Sequence, residues 1–435
     1  MKLKDGKKVL SQETMHTYTE ILNEELLPAM GCTEPIAIAF AASIMRHALG
    51  EIPKKLTIGL SGNIIKNVKS VIVPATGGMH GIESAVAAGL VAGCPDRKLQ
   101  VLSALTPDDR EKIVACLAQV DMKVVEIETV HPFEIAMDGC GETHQVRVHM
   151  INRHTNVAEV LCDGVDVTGK YRILDASEAT MHADRQTLNV KDIVDYADTV
   201  DLTPLRPLLA RQIQMNMAIA EEGLRGEWGA SIGKLLLGDG NCQVSVRARA
   251  YAAAGSDARM SGCELPVCII SGSGNQGMTA SIPVVIFARH LGVDEDTLYR
   301  ALLVSNLITI HQKTGIGCLS AYCGAISAGC GCGTGISYLY GGKYNEIAHT
   351  LVNSIAILSG TICDGAKASC AAKIAMAVEA GIMGFEMMRS GHEFYGGDGI
   401  VTKGVENTVR NVGRLAREGM SGTDREIIRI MLGEA

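Results

Sequence analysis

Apolar and polar positions along the chain fall into two textures. Residues 11–28 place Tyr18, Ile21, Leu22 and Leu26 on one stripe, the spacing of an amphipathic helix. The run from Ile36 to Met45 is apolar and small-residued all round, which predicts a buried helix, with Pro35 at its first position and Glu34 at or near the cap. From about Lys55 to Val165 the pattern alternates. LTIGLSG, QVLSAL, KVVEIETV, HQVRVHMI and NVAEVLCDG read as strands, and residues 81–93 and 108–119 as helices. Residues 167–205 turn polar, DLTPLRPLL marks a boundary through Pro204 and Pro207, and helical periodicity holds beyond it. The expected fold class is α+β: a mixed α/β domain over residues 1–200, followed by a mainly helical domain over 201–435.

Composition sharpens this picture. Hydrophobic residues make up 47% but aromatics only 4%, so Ala, Gly, Ile and Met must fill closely packed helices. A net charge of −8 argues against a nucleic-acid surface. The basic start MKLKDGKKVL leads into SQETMHTYTE rather than an apolar core, and no stretch reaches eighteen uninterrupted apolar residues, so neither a secretory signal nor a membrane span is expected. The cytoplasm is the expected location, where fourteen cysteines are reduced, metal-bound or catalytic rather than disulfide-bonded.

Six of those cysteines crowd residues 318–370: Cys318, Cys323, Cys330, Cys332, Cys363 and Cys370. Thiolates in Gly-rich surroundings suit a soft metal, zinc or an iron–sulfur cluster. Cys363 and Cys370 on one unbroken helix would stand about 10.5 Å apart along its axis, so shared ligation requires the chain to leave the helix near Asp364 and Gly365. No CxxC pair occurs, and spacing does not choose ligands among the six. Cys32 lies just outside a helix N-terminus, where the dipole favours a thiolate able to act as nucleophile or base, while Glu34 pulls the other way.

Two further stretches carry candidate chemistry. The loop opened by SGNIIKN, with Ser61, Asn63, Lys66, Asn67 and Thr76, suits a carboxylate ligand and equally suits plain turns. PVCIISGSGNQG matches the strand-then-G-x-G-x-x-G pattern of dinucleotide enzymes through Gly272, Gly274 and Gly277. The strand would be very short, however, and Pro283 falls inside the required helix, so an anion cradle of Ser271, Ser273, Asn275 and Gln276 is the better reading.

With GCTEP at 31–35, SGNIIKN at 61–67, SGSGNQG at 271–277, AYCGAISAGCG at 321–331 and CDGAKASC at 363–370, the chain resembles the L-cysteine desulfidase family. That family is serine-dehydratase-like and related to the iron–sulfur L-serine dehydratases. The resemblance implies an oxygen-sensitive [4Fe–4S] lyase, free of pyridoxal phosphate, that releases hydrogen sulfide from L-cysteine to give pyruvate and ammonia. It implies Cys323, Cys363 and Cys370 as cluster ligands and Cys32 as catalytic base, with Glu34 as the competing candidate for that role. Cys318, Cys330 and Cys332 become bystanders. Ser61, Asn63, Ser271, Ser273, Asn275 and Gln276 are the expected substrate-binding residues. The expected partners are a small amino-acid substrate and, at most, a second copy of the chain forming a homodimer, with no nucleic acid and no membrane. L-serine dehydration by the same chemistry, a dinucleotide-dependent oxidoreductase and a structural zinc or purely helical binding protein remain the rival readings.

Overall fold

The computed structural model describes residues 3–4, 7–8, 10–171, 183–238, 240, 243–317 and 319–433. After a short hairpin of Leu3–Lys4 (β1) and Lys7–Lys8 (β2), helix α1 (Gln12–Glu25) starts at Ser11, whose hydroxyl accepts from Thr14 N–H, and buries Tyr18, Ile21 and Leu22. It stops short of the expected residue 28 because Pro28 opens a strand, β3 (Pro28–Met30). Helix α2 (Thr33–Leu49) follows, capped by Cys32 and ended by Gly50 in the left-handed region. Pro35 is therefore the third helical residue rather than the first. The position tolerates it, because the opening amides of a helix have no intrahelical acceptor.

Strand β4 (Lys55–Leu60) leads directly into helix α3 (Gly62–Val68), where a turn-rich loop was expected. Ile64, Ile65 and Val68 share a buried face at helical spacing, and that burial decides the conformation. Helices α4 (Gly81–Ala92) and α5 (Pro107–Gln119) match their expected spans closely. Between them QVLSAL is a set of turns rather than a strand. Among the described residues it pairs with no strand, and adjacent Val101 and Leu102 are both buried while Ser103 and Ala104 are exposed, which is not the alternation of a strand. Strands β5 (Asp121–Glu126), β6 (Glu134–Cys140), β7 (Gln145–Ile151), β8 (Val157–Cys162) and β9 (Val165–Asp166) complete a six-stranded sheet. Its order is β5-β4-β6-β7-β8-β9, with β4 and β5 parallel and every other pairing antiparallel. Helix α2 packs on this sheet and also against α4, so closely that a Cβ on Gly89 would sit 2.2 Å from the Ala39 carbonyl.

The second half is helical: α6 (Val190–Thr199), α7 (Arg206–Arg225), α8 (Ile232–Leu237), α9 (Val244–Met260), α10 (Gly274–Leu291), α11 (Glu295–Ile316), α12 (Gly324–Leu339), α13 (Tyr344–Ile357), α14 (Cys370–Arg389), α15 (Val405–Arg414) and α16 (Ser421–Leu432). α12 is the hub, packed by α10, α11, α13 and α14. Its glycines set the spacing. A Cβ on Gly329 would come 2.2 Å from the Ala377 carbonyl, and one on Gly333 2.4 Å from that of Gly381. Cys330 and Cys332 belong to this tight core and are fully buried, and the Cys332 thiol donates to Gly329 O within the helix. Cys318 lies outside the described residues.

One short pairing positions the site. Strand β10 (Pro266–Cys268) runs antiparallel to β3, with Val267 opposite Ala29, which brings the GCTEP and SGSGNQG segments side by side. Gly277 is needed because a Cβ there would lie 1.9 Å from the Cys268 carbonyl. The strand–turn–helix at SGSGNQG is real, but its strand has three residues and an antiparallel partner, and Pro283 sits inside α10. The parallel sheet of a dinucleotide-binding unit is not what surrounds it. Among the described residues no helix is long and apolar enough to cross a membrane.

Candidate active site

Four helices begin at one small cavity of about 100 Å³. Its wall contains the caps of α2 (Cys32), α10 (Ser273) and α12 (Cys323) and the first residue of α14 (Cys370). Each helix N-terminus carries a partial positive charge and unsatisfied N–H groups, so their meeting favours anions. Side chains reinforce this: Lys66, Arg259, Lys313 and Lys373 also line the cavity, the first three of them buried. Lys66 Nζ is ion-paired to Asp424 of α16 at 2.5 Å. Arg259 is held by two neutral oxygens, Gly31 O at 2.8 Å and Asn275 Oδ1 at 3.1 Å.

Three thiols face this positive enclosure: Cys323, Cys363 and Cys370. Residues 358–369 form the loop between α13 and α14, tied to the start of α12 by Cys363 N–H donating to Ala321 O and by Cys323 N–H donating to Thr361 O. The chain turns at Gly365, whose φ of +95° is easy only for glycine and whose Cβ would lie 2.4 Å from Lys66 O. The hydrogen bond from Cys323 is the chief reason the Cys363 thiol is drawn down to about 6; burial opposes it, and the Lys66 charge helps. The Cys323 thiol is pushed up, first by that same bond and then by burial. Burial also raises the Cys370 thiol. Three convergent thiols, one predisposed to ionise, surrounded by positive charge, fit an anionic thiolate-bound metal cluster.

Cys32 and Glu34 line the same cavity as a hydrogen-bonded pair. Cys32 Sγ donates to Glu34 Oε2 at 3.1 Å, and Thr33 Oγ1 donates to the same oxygen at 2.9 Å. Asn67 Nδ2 donates to the other carboxylate oxygen, Oε1, also at 2.9 Å. Burial, and then the Glu34 charge, push the Cys32 thiol well above its ordinary value, overriding the helix dipole. Burial alone would raise Glu34, but the neighbouring His154 and the bonds from Cys32 and Thr33 hold it below the usual carboxylate range. The dyad in the free protein is therefore a thiol beside a carboxylate.

Of the expected substrate residues, Ser273, Asn275 and Gln276 line the cavity. Ser61, Asn63 and Ser271 do not. Ser61 caps α3 and donates to Pro132 O, Asn63 lies in the first turn of α3, and Ser271 uses its N–H to hold Glu25 while facing a larger cleft of about 1250 Å³. That cleft shares Lys313 and Leu319 with the cavity. Arg259, Lys313 and Lys373 went unanticipated. They come from α9, α11 and α14, and nothing in the local pattern sets them apart from Arg247, Arg249, Arg300 or Arg389 on the same helices.

The chain is an α+β protein with a helical core and a thiol-lined cavity, and its family match makes it serine-dehydratase-like and of the lyase type. The chain belongs to the serine dehydratase alpha-chain family, whose model matches residues 96–429. It is 51% identical to a UPF0597 protein of Desulfitobacterium hafniense, over 96% of this chain and 97% of that one. A UPF0597 protein of Lachnoclostridium phytofermentans is 48% identical over 95% and 98% of the two chains, and one of Treponema denticola 43% identical over 97% and 99%.

Proposed function

We propose that the protein is a [4Fe–4S]-dependent lyase that eliminates hydrogen sulfide from L-cysteine, giving pyruvate and ammonia. The observation that carries this reading is the convergence of three thiols and an acid–base dyad on one positively charged cavity. Cys323, Cys363 and Cys370 would hold the cluster, which when bound supplies a Lewis-acidic iron to the substrate. Residues 1–200 contribute Cys32, Glu34 and Asn67, and residues 201–435 contribute the thiols and Arg259. Arg259, bonded among the described residues to the neutral oxygens of Gly31 and Asn275, is suited to the substrate carboxylate. Cys32 passes its thiol proton to Glu34 Oε2 and takes the α-proton at Sγ. The electron pair of the Cα–H bond forms the Cα=Cβ bond, and the Cβ–S bond breaks with its pair leaving as hydrosulfide. The aminoacrylate takes up a proton at Cβ, and water then hydrolyses the imine to pyruvate and ammonia.

A second reading, L-serine dehydration, draws on the family description itself and needs the same residues. Anaerobically reconstituted protein given L-cysteine or L-serine, with pyruvate and sulfide both measured, separates them. Faster pyruvate formation from L-cysteine with equimolar sulfide is expected. Preference for L-serine moves the assignment to the second reading, and no product from either substrate overturns both.

A further inference from the structure

Two side-chain carbonyl oxygens in the cavity wall have no hydrogen-bond donor among the described residues: Asn67 Oδ1 and Gln276 Oε1. The side chains are only 7% and 5% exposed, so bulk water does not serve them. Asn67 is fixed the right way round, because its Nδ2 donates to the Glu34 carboxylate, which accepts and cannot donate when ionised. Gln276, in the first turn of α10, lies against Gly324 so closely that a Cβ there would sit 2.6 Å from the amide carbon. Buried acceptors left unserved are costly. Two in one small cavity, beside a carboxylate, ask for a group that donates several hydrogen bonds, accepts none and carries positive charge. An ammonium group meets all three conditions.

We infer that Asn67 and Gln276 receive the α-ammonium of the substrate, so that the cavity selects α-amino acids against analogues lacking the amine. With the carboxylate at Arg259, two of the four substituents on Cα are then held by protein. This inference rests on the cavity being the reaction site, as read above, but not on whether sulfur or oxygen leaves.

L-alanine and propionate differ only in the α-ammonium and have no leaving group, so their binding to the reconstituted protein is measurable by calorimetry without turnover. The wild-type protein is expected to prefer L-alanine. Gln276→Met, which keeps the volume and removes the acceptor, should reduce that preference by about 10-fold to 100-fold and leave propionate binding unchanged. Gln276→Glu restores an acceptor and should keep the preference. A wild-type protein with no preference, a preference untouched by Gln276→Met, or equal loss in Gln276→Met and Gln276→Glu overturns the ammonium site. Pyruvate formation from L-cysteine or L-serine, measured on the same wild-type sample, stands apart. Its absence alongside a Gln276-dependent preference for L-alanine sinks the lyase reading and keeps the ammonium site; the reverse pair of results does the opposite.

Discussion

Cys32 and Cys363 line the same cavity, yet their neighbours drive the two thiols in opposite directions. Cys32 is buried beside the Glu34 carboxylate, whereas Cys363 accepts a hydrogen bond from Cys323 near Lys66. The first arrangement suits a group that exchanges protons and the second a group that binds metal as thiolate. Replacing Cys323, Cys363 or Cys370 by Ala should each abolish iron retention after anaerobic reconstitution, while Cys330→Ala, in the packed core of α12, should keep most of the iron. Equal loss from Cys330→Ala and none from Cys363→Ala in an iron assay would move the cluster elsewhere. Cys32→Ser should retain iron and colour but lose roughly 10²-fold to 10⁴-fold in turnover, together with exchange of the substrate α-hydrogen with solvent. Full activity in that variant would hand the base role to Glu34. The thiols stand out in the sequence only through the resemblance carried by segments such as AYCGA, CDGAKASC and GCTEP, since spacing does not choose among six cysteines. Of the groups that tune them, Lys66 and Asn67 are candidate carboxylate-binding residues by sequence but in a segment that reads as a loop, whereas Arg259 and Lys313 arrive from remote helices and are not anticipated.

Among the elements, the helix starts matter most, and they were only partly foreseen. Cys32 at the head of α2 was apparent from the small apolar run after it, but nothing in local pattern says that α10, α12 and α14 begin at the same point. Pattern also misassigned SGNIIKN, since Ser, Gly and Asn favour turns in isolation while Ile64, Ile65 and Val68 need a helix to reach the core. Strand β6 went unseen because EIAMDGC is buried at consecutive positions rather than alternately. The break before Cys370, in contrast, follows from a glycine at the one place where two thiols must be brought together. Gly365→Ala should disturb that loop, through its positive φ and the approach to Lys66 O, and cut iron binding, while Gly391→Ala, also at positive φ (+77°) but with open space around it, should leave iron binding intact. Iron stoichiometry of the two variants decides the matter.

Helices α6, α11 and α15 are joined at Glu406, which accepts from Val190 N–H and bonds His311 Nε2, both at 2.7 Å. Burial alone would raise the Glu406 carboxyl, but the His311 bond and charge hold it below its ordinary value of 4.5. A carboxylate depressed by folding stabilises fully above that ordinary value and loses its contribution as pH falls through the lower, folded one. Urea midpoints should therefore decline below about pH 4.5 less steeply in Glu406→Gln than in the wild type. Parallel declines would show that this junction does not carry the acid sensitivity.

At the scale of the whole molecule, the cavity exists only because distant parts of the chain meet. The β3–β10 pairing joins the base segment to the Gly-rich loop, and α16 returns to α3, where Asp424 pairs with Lys66 and the Met431 carbonyl accepts from Lys69. Asp424→Ala would leave the Lys66 ammonium, 1% exposed, without its counter-charge, at a cost of about 3 kcal/mol. A lowered unfolding midpoint and weaker iron retention are expected together. An unchanged midpoint would mean that the pair contributes nothing to stability. Lys66 and Asp424 are 358 positions apart in the chain, and the last of the three thiols, Cys370, is also made late. Every segment from Cys32 to Asp424 must therefore have been made before the cavity wall is complete and Lys66 behind it has its counter-charge. A cluster held there, as proposed above, would be loaded only after residue 424 has left the ribosome.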